Sequence, residues 1–181
     1  EHRFNDVWQF RQNLRYTKSE LSFQTITVNS YLPEFGMVVD DQGNVGRSTT
    51  NVDEDISQFA VDNNFQGDFS TGAISHTLLL GLDHQRTNNN FLTIYGAAPP
   101  INVNDPVYGL PISRPDRSTA YYDYDQKTIQ TGLYVQDQMA LGNWRLTLGG
   151  REDWVHTGTT FFNKGDATNT QRDSNFSGNA A

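Results

Sequence analysis

The chain has 181 residues, with 13 Lys+Arg against 21 Asp+Glu, a formal net charge of −8, a pI near 4.8 and no cysteine. This acidity argues against a nucleic-acid partner, which needs a basic face, and the lack of thiols excludes a disulfide scaffold and thiolate metal sites. Mean hydropathy is only −0.64, yet aromatics reach 12%, too many for a disordered chain, and no apolar run approaches the ~18 residues of a spanning helix.

The opening Glu1-His2-Arg3 is polar and shows no signal-peptide pattern. What remains is a β-rich chain, either a soluble all-β domain or a piece of a transmembrane β-barrel. A barrel strand needs apolar residues on one side only, so its average hydropathy can be low.

In chain order, the hydrophobic period is two. Over Val7–Thr17 the apolar set Trp8, Phe10, Leu14, Tyr16 alternates with Gln9, Arg11, Asn13, Arg15, Thr17. Over Gln58–Phe69 it is Phe59, Val61, Phe65, Phe69 against Gln58, Asp62, Asn64, Gln66, Asp68. Over Ser75–Thr87, Leu78, Leu80 and Leu82 oppose Thr77, Gly81, Asp83 and Gln85, with Leu79 as the exception. Over Lys127–Met139, Ile129, Leu133, Val135 and Met139 oppose Gln130, Gly132, Gln136 and Gln138, with Tyr134 as the exception. Over Asn143–Val155, Trp144, Leu146, Leu148, Gly150 and Trp154 oppose Arg145, Thr147, Gly149, Arg151 and Asp153. A sixth strand starts at Asn175–Ala181.

Connections alternate in length. Short turns are predicted at Ser70-Thr71-Gly72-Ala73 and Leu141-Gly142-Asn143, with the Gly and Asn that tight hairpins use. Longer loops are predicted at Leu32–Arg47, Gly96–Arg117 and Lys164–Ser174, the middle one excluded from a sheet interior by Pro99, Pro100, Pro106, Pro111 and Pro115. Short turns at one end and long loops at the other are a transmembrane-barrel pattern. Trp144 and Trp154 are same-parity residues ten positions apart. At ~3.3 Å per residue and a tilt of ~40–45°, they stand ~24 Å apart in height, close to the ~25 Å apolar band of an outer-membrane barrel. Gln12, Asn63 and Glu152 depart from the pattern by falling on the predicted lipid face.

The segment Gly132-Leu133-Tyr134-Val135-Gln136-Asp137-Gln138, a short turn, then Trp144-Arg145-Leu146-Thr147-Leu148-Gly149-Gly150-Arg151 resembles the barrel of TonB-dependent ferric-siderophore receptors. Leu78–Asp83 with Gln85-Arg86, and Arg11–Tyr16, resemble earlier strands of the same family, and Asn104–Gly109 points to its ferrichrome/ferrioxamine, or hydroxamate, branch. Glu152 stands where relatives carry an aromatic. The resemblance implies an all-β, antiparallel up-and-down segment of about five to six strands from a 22-stranded barrel. Residues 1–181 would then be a partial barrel domain without the plug or the TonB-contacting segment. It further implies a receptor in the Gram-negative outer membrane, not an enzyme, that takes up a ferric hydroxamate siderophore. Its partners would be outer-membrane lipid and the TonB–ExbB–ExbD complex, reached through the N-terminal part. No cofactor is implied, because the siderophore supplies the iron ligands.

No catalytic constellation emerges. His76, His84 and His156 lie on three strands without a nucleophile motif, and His2 is terminal. Asp53-Glu54-Asp55 reads as a solvated outer edge. Asp40-Asp41-Gln42-Gly43-Asn44 reads as a turn, because it lacks the terminal bidentate Glu of a calcium loop. The candidate ligand-binding residues are Tyr95, Tyr108, Tyr121, Tyr122 and Tyr124, around one long loop. A tyrosine offers a large rigid face and one hydrogen-bonding tip, which suits a bulky ferric hydroxamate of little net charge. Tyr122 and Tyr124 share parity with the lumen-facing Gln130 and lead the set; Phe35 and either Phe161 or Phe162 are weaker candidates. A passive porin and a soluble carbohydrate-binding β-sandwich stay open as alternatives.

Overall fold

Seven strands form one antiparallel sheet in strictly sequential order. They are β1 (His2–Arg3), β2 (Trp8–Val28), β3 (Asn44–Thr71), β4 (Ile74–Asn102), β5 (Tyr122–Leu141), β6 (Trp144–Phe161) and β7 (Ala167–Ala180). The structure, a computed structural model, describes residues 1–28 and 39–181; Phe35 lies outside the described residues. This is the up-and-down order expected from the alternation, and the sheet is open, with β1 and β7 as its edges.

Both tight turns fall where expected. Thr71 pairs with Ile74, and Leu141 with Trp144, across two-residue connections. The first connecting residue has positive φ in each, 63° at Gly72 and 56° at Gly142, a backbone that glycine adopts without Cβ strain.

The strands run further outward than the hydrophobic pattern showed. β4 has 29 residues and β3 has 28. At ~3.3 Å per residue and ~40° tilt, such a strand rises ~70 Å, against an apolar band of ~25 Å. Their outer halves therefore stand in water, where no lipid imposes an apolar face. Two expectations are corrected. Lys164–Ser174 is mostly strand, because β7 begins at Ala167 and pairs with β6 from Phe161. Gly96–Asn102 belongs to β4 despite Pro99 and Pro100. Beyond Thr93, β4 has no β5 partner, and its β3 register shifts between Val45 and Arg47, so the prolines sit on a free edge beside a bulge.

Paired residues of an antiparallel sheet share a face. One face carries the row Phe65, Leu80, Val135 and Gly150, with Leu78, Leu82, Leu133 and Leu148 nearby. This is the lipid face, on which Trp144 is 81% exposed and Trp154 46%. Its lower margin is an aromatic band. Trp8 stacks on Phe65 at 4.9 Å between ring centroids, and Phe69 on His76 at 5.0 Å. The unexpected Gln12 and Asn63 on this face are direct cross-strand partners, and Gln12 Nε2 donates to Asn63 Oδ1 at 2.7 Å.

The opposite face is polar and cross-linked. Arg151 holds Asp83 and Asp153, Gln130 donates to Asp153, and the Tyr134 hydroxyl donates to Asp62. Among the described residues the buried side chains lie at the outer end: Val45, Val52, Ile94 and Ala98, with Thr49, Asn51, Thr93, Asp123 and Thr159.

Candidate functional site

The register gathers the inward aromatics at the outer end. Glu54, Phe91, Tyr124 and Phe161 form one row across β3, β4, β5 and β6. The Phe91 and Tyr124 rings stack at 5.3 Å, and Tyr124 meets Phe161 edge-on at 5.9 Å. Lys164, just past β6, places its ammonium 5.1 Å from the Phe161 ring centre, a cation–π contact. Two residues further out, Tyr122 pairs with Thr93. Tyr121 bridges Tyr122 and Tyr95, at 4.6 Å and 5.3 Å between centroids.

Four of the five candidate tyrosines therefore form two stacked tiers: Tyr95, Tyr121 and Tyr122 above, Tyr124 below. Tyr108 is placed apart, 75% exposed in the loop, and among the described residues no ring pairs with it. Phe161 belongs to the row, whereas Phe162 lies against Arg117, 6.0 Å from its guanidinium. The sequence pattern does not mark Phe91, and Glu54 enters it only within the acidic run Asp53-Glu54-Asp55. Extending the inward parity of Thr77, Gly81 and Asp83 along β4 reaches Phe91 and Tyr95, but the alternation of leucines that reveals the parity stops at Leu82.

The Arg114–Arg117 part of the β4–β5 loop lies against the outward side of the sheet, where Arg114 pairs with Asp53, Pro115 lies on Gly96, and Arg117 grips Asp123 through two bonds of 2.6 and 2.7 Å. The register places Asp53 and Asp123 on the same face as Leu92, opposite the rings. The Asp123 carboxylate holds the Arg117 guanidinium proton more tightly than usual. Asp116 caps the short 3-10 turn Arg117–Thr119, and hydrogen bonds from the Ser118 hydroxyl and N–H hold its carboxyl below the usual carboxylate range.

Asp53-Glu54-Asp55 is thus not a uniformly solvated edge. Asp53 binds Ser22 and Arg114 on one face, and Glu54 accepts from Asn89 at 3.0 Å on the other. The Asp40–Asn44 segment is a turn, with Asp40 Oδ1 accepting from the N–H groups of Gln42 and Asn44. Those bonds, led by Asn44, hold the Asp40 carboxyl below its ordinary range. His76 bonds Asp137 at 2.7 Å, and His84 bonds Thr131, both on the lipid face.

A sheet with one lipid face, one polar cross-linked face, tight turns at one end and tall polar extensions at the other is a wall section of an outer-membrane β-barrel. A family model described as TonB dependent receptor-like, beta-barrel matches residues 1–181, and the chain belongs to that family of Gram-negative outer-membrane β-barrels. It is 39% identical to the ferrioxamine B receptor of Salmonella typhimurium (strain SL1344) over 86% of this chain and 20% of that protein. It is 32% identical to the ferrioxamine receptor of Yersinia enterocolitica over 99% of this chain and 25% of the relative. To the ferrichrome outer membrane transporter/phage receptor of Escherichia coli (strain K12) it is 33% identical over 86% of this chain and 23% of the relative. The chain therefore spans about a fifth to a quarter of the curated relatives it matches. Among solved structures, the ferric-catecholate import receptor Fiu of E. coli K12 in its closed form superposes with a TM-score of 0.73 at 16% identity, over 99% of this chain and 28% of that one. The unliganded ferric citrate transporter FecA gives 0.68 at 13% identity, over 98% and 22%. These two likenesses establish the fold.

Proposed function

We propose that this chain forms part of the wall and mouth of a TonB-energised receptor that imports a ferric hydroxamate siderophore. The observation that carries the reading is the double tier of inward rings, Tyr95, Tyr121 and Tyr122 above Phe91, Tyr124 and Phe161. The relatives named for ferrioxamine and ferrichrome support the hydroxamate class. A ferric hydroxamate presents a broad surface of carbonyl oxygens and methylenes. Flat rings bury the methylenes, and phenol hydroxyls donate to the oxygens. The wall binds and orients its cargo and carries out no reaction, and TonB, reached through another part of the receptor, supplies the energy for entry.

The test is uptake of radiolabelled ferric hydroxamate by cells that lack their own hydroxamate receptors and express the full-length receptor containing this segment. Saturable uptake that requires TonB is expected. TonB-independent, non-saturable iron entry together with ion conductance in a planar bilayer would instead identify a passive porin.

A further inference from the structure

Glu54 is out of character with the rings beside it. It occupies the β3 end of the row Glu54–Phe91–Tyr124–Phe161 and shares their face. Among the described residues no Lys, Arg or His nitrogen lies within ion-pair distance of its carboxylate, although its chain neighbour Asp53 has taken Arg114 on the other side. Among the described residues its carboxylate accepts one side-chain hydrogen bond, at 3.0 Å from the neutral Asn89 on β4. The opposite end of the row is occupied by the ammonium of Lys164 over Phe161. The row is therefore polarised, with a negative end at β3 and a positive end past β6, three strand spacings or ~14 Å apart.

A carboxylate beside aromatic faces is the arrangement that recognises an ammonium. The charge pairs with the acid while the ring quadrupole attracts the cation's flank. The β3 end offers both groups within one strand spacing, and the lysine at the other end repels a second cation. Resting on the siderophore reading above, we propose that Glu54 makes this mouth selective for ferric hydroxamates whose ligand carries a protonated amine. The amine lies toward β3, and the neutral iron-hydroxamate body lies across Phe91, Tyr124 and Phe161.

The experiment compares ferrioxamine B, a linear ferric trihydroxamate ending in a primary amine, with its N-acetylated form. Both are titrated against the purified full-length receptor by intrinsic-fluorescence quenching. Glu54→Gln is the variant of choice, because its side-chain oxygen still accepts from Asn89 and the wall keeps its shape. The wild-type receptor should prefer the amine form by about tenfold. E54Q should lose that preference by weakening the amine form, with the acetylated form within twofold of wild type. Equal affinities for both forms, unchanged in E54Q, would overturn the role of Glu54 and leave the receptor reading standing. Failure of the wild-type receptor to bind either form would overturn both.

Discussion

Arg151 reaches from β6 across the whole of β5 to place its guanidinium 2.7 Å from the Asp83 carboxylate on β4. The intervening strand lets it pass because Gly132 lies beneath it; a Cβ at that position would overlap the guanidinium. The same design recurs one register step away, where the Tyr134 ring lies over Gly81 on the way to Asp62. Arg151 also lies 5.5 Å from the Tyr134 ring centre, so the two side chains form one bridge over four strands. Replacing Gly132 with Ala should break the Arg151–Asp83 pair and leave the half-buried Asp83 carboxylate without its cation, while Arg151 keeps Asp153, a cost of about 1–3 kcal/mol. The temperature at which the full-length barrel loses its compact electrophoretic form should fall measurably in G132A. An unchanged transition would mean that Arg151 finds another route to Asp83.

Gln12 and Asn63 should behave as a pair. Each alone is a polar group on the lipid face, where water cannot satisfy it, and their mutual bond of 2.7 Å makes the position tolerable. Gln12→Leu leaves Asn63 without that donor and should destabilise the barrel by about 1–3 kcal/mol. Adding Asn63→Leu should recover most of the loss, since two apolar partners of similar size suit lipid. A double-mutant cycle of unfolding in detergent or lipid measures this coupling; additive losses would show that the two do not act together.

The loop should be released by loss of its clips. Asp123 is 5% exposed and holds Arg117 through two bonds, while Arg114 holds Asp53. In the double variant Arg114→Gln/Arg117→Gln, cleavage of the loop on whole cells by a protease specific for neither residue should quicken severalfold. Acid should loosen the turn as well. Because the Asp116 carboxyl is held below its ordinary range in the folded loop, its contribution is complete above about pH 3.9 and is lost as pH falls through the depressed value. A cleavage rate unmoved by the double substitution would show that packing of Pro115 on Gly96 is the real anchor.

The membrane-spanning part of the fold was legible in the sequence because lipid imposes a strict rule there. Trp144, Leu146 and Leu148 alternate with Arg145 and Thr147 since one side meets hydrocarbon and the other water. Above that level no lipid imposes an apolar face, so Asn88-Asn89-Asn90 and Thr49-Thr50-Asn51 carry no periodic mark even though they are strand. The same reason hid β7 from Ala167 to Ser174, a polar edge strand exposed along its length. Among the ring residues, Tyr122 and Tyr124 were placed by their parity with Gln130. Phe91 and Glu54 were not, because their place beside Tyr124 depends on a register between strands that no local pattern encodes.

The inward rings are the heart of the functional reading, and ligand affinity tests them most directly. Tyr122→Ala and Tyr124→Ala remove one ring from each tier and touch neither the lipid face nor the Arg151 bridge. Titration of a ferric hydroxamate into the purified full-length receptor should show each variant binding about tenfold or more weakly, the loss of ~1–2 kcal/mol expected for an aromatic anchor. Barrel yield and heat stability should match wild type. Unchanged affinity in both variants would contradict the assignment of this face as the siderophore-binding mouth.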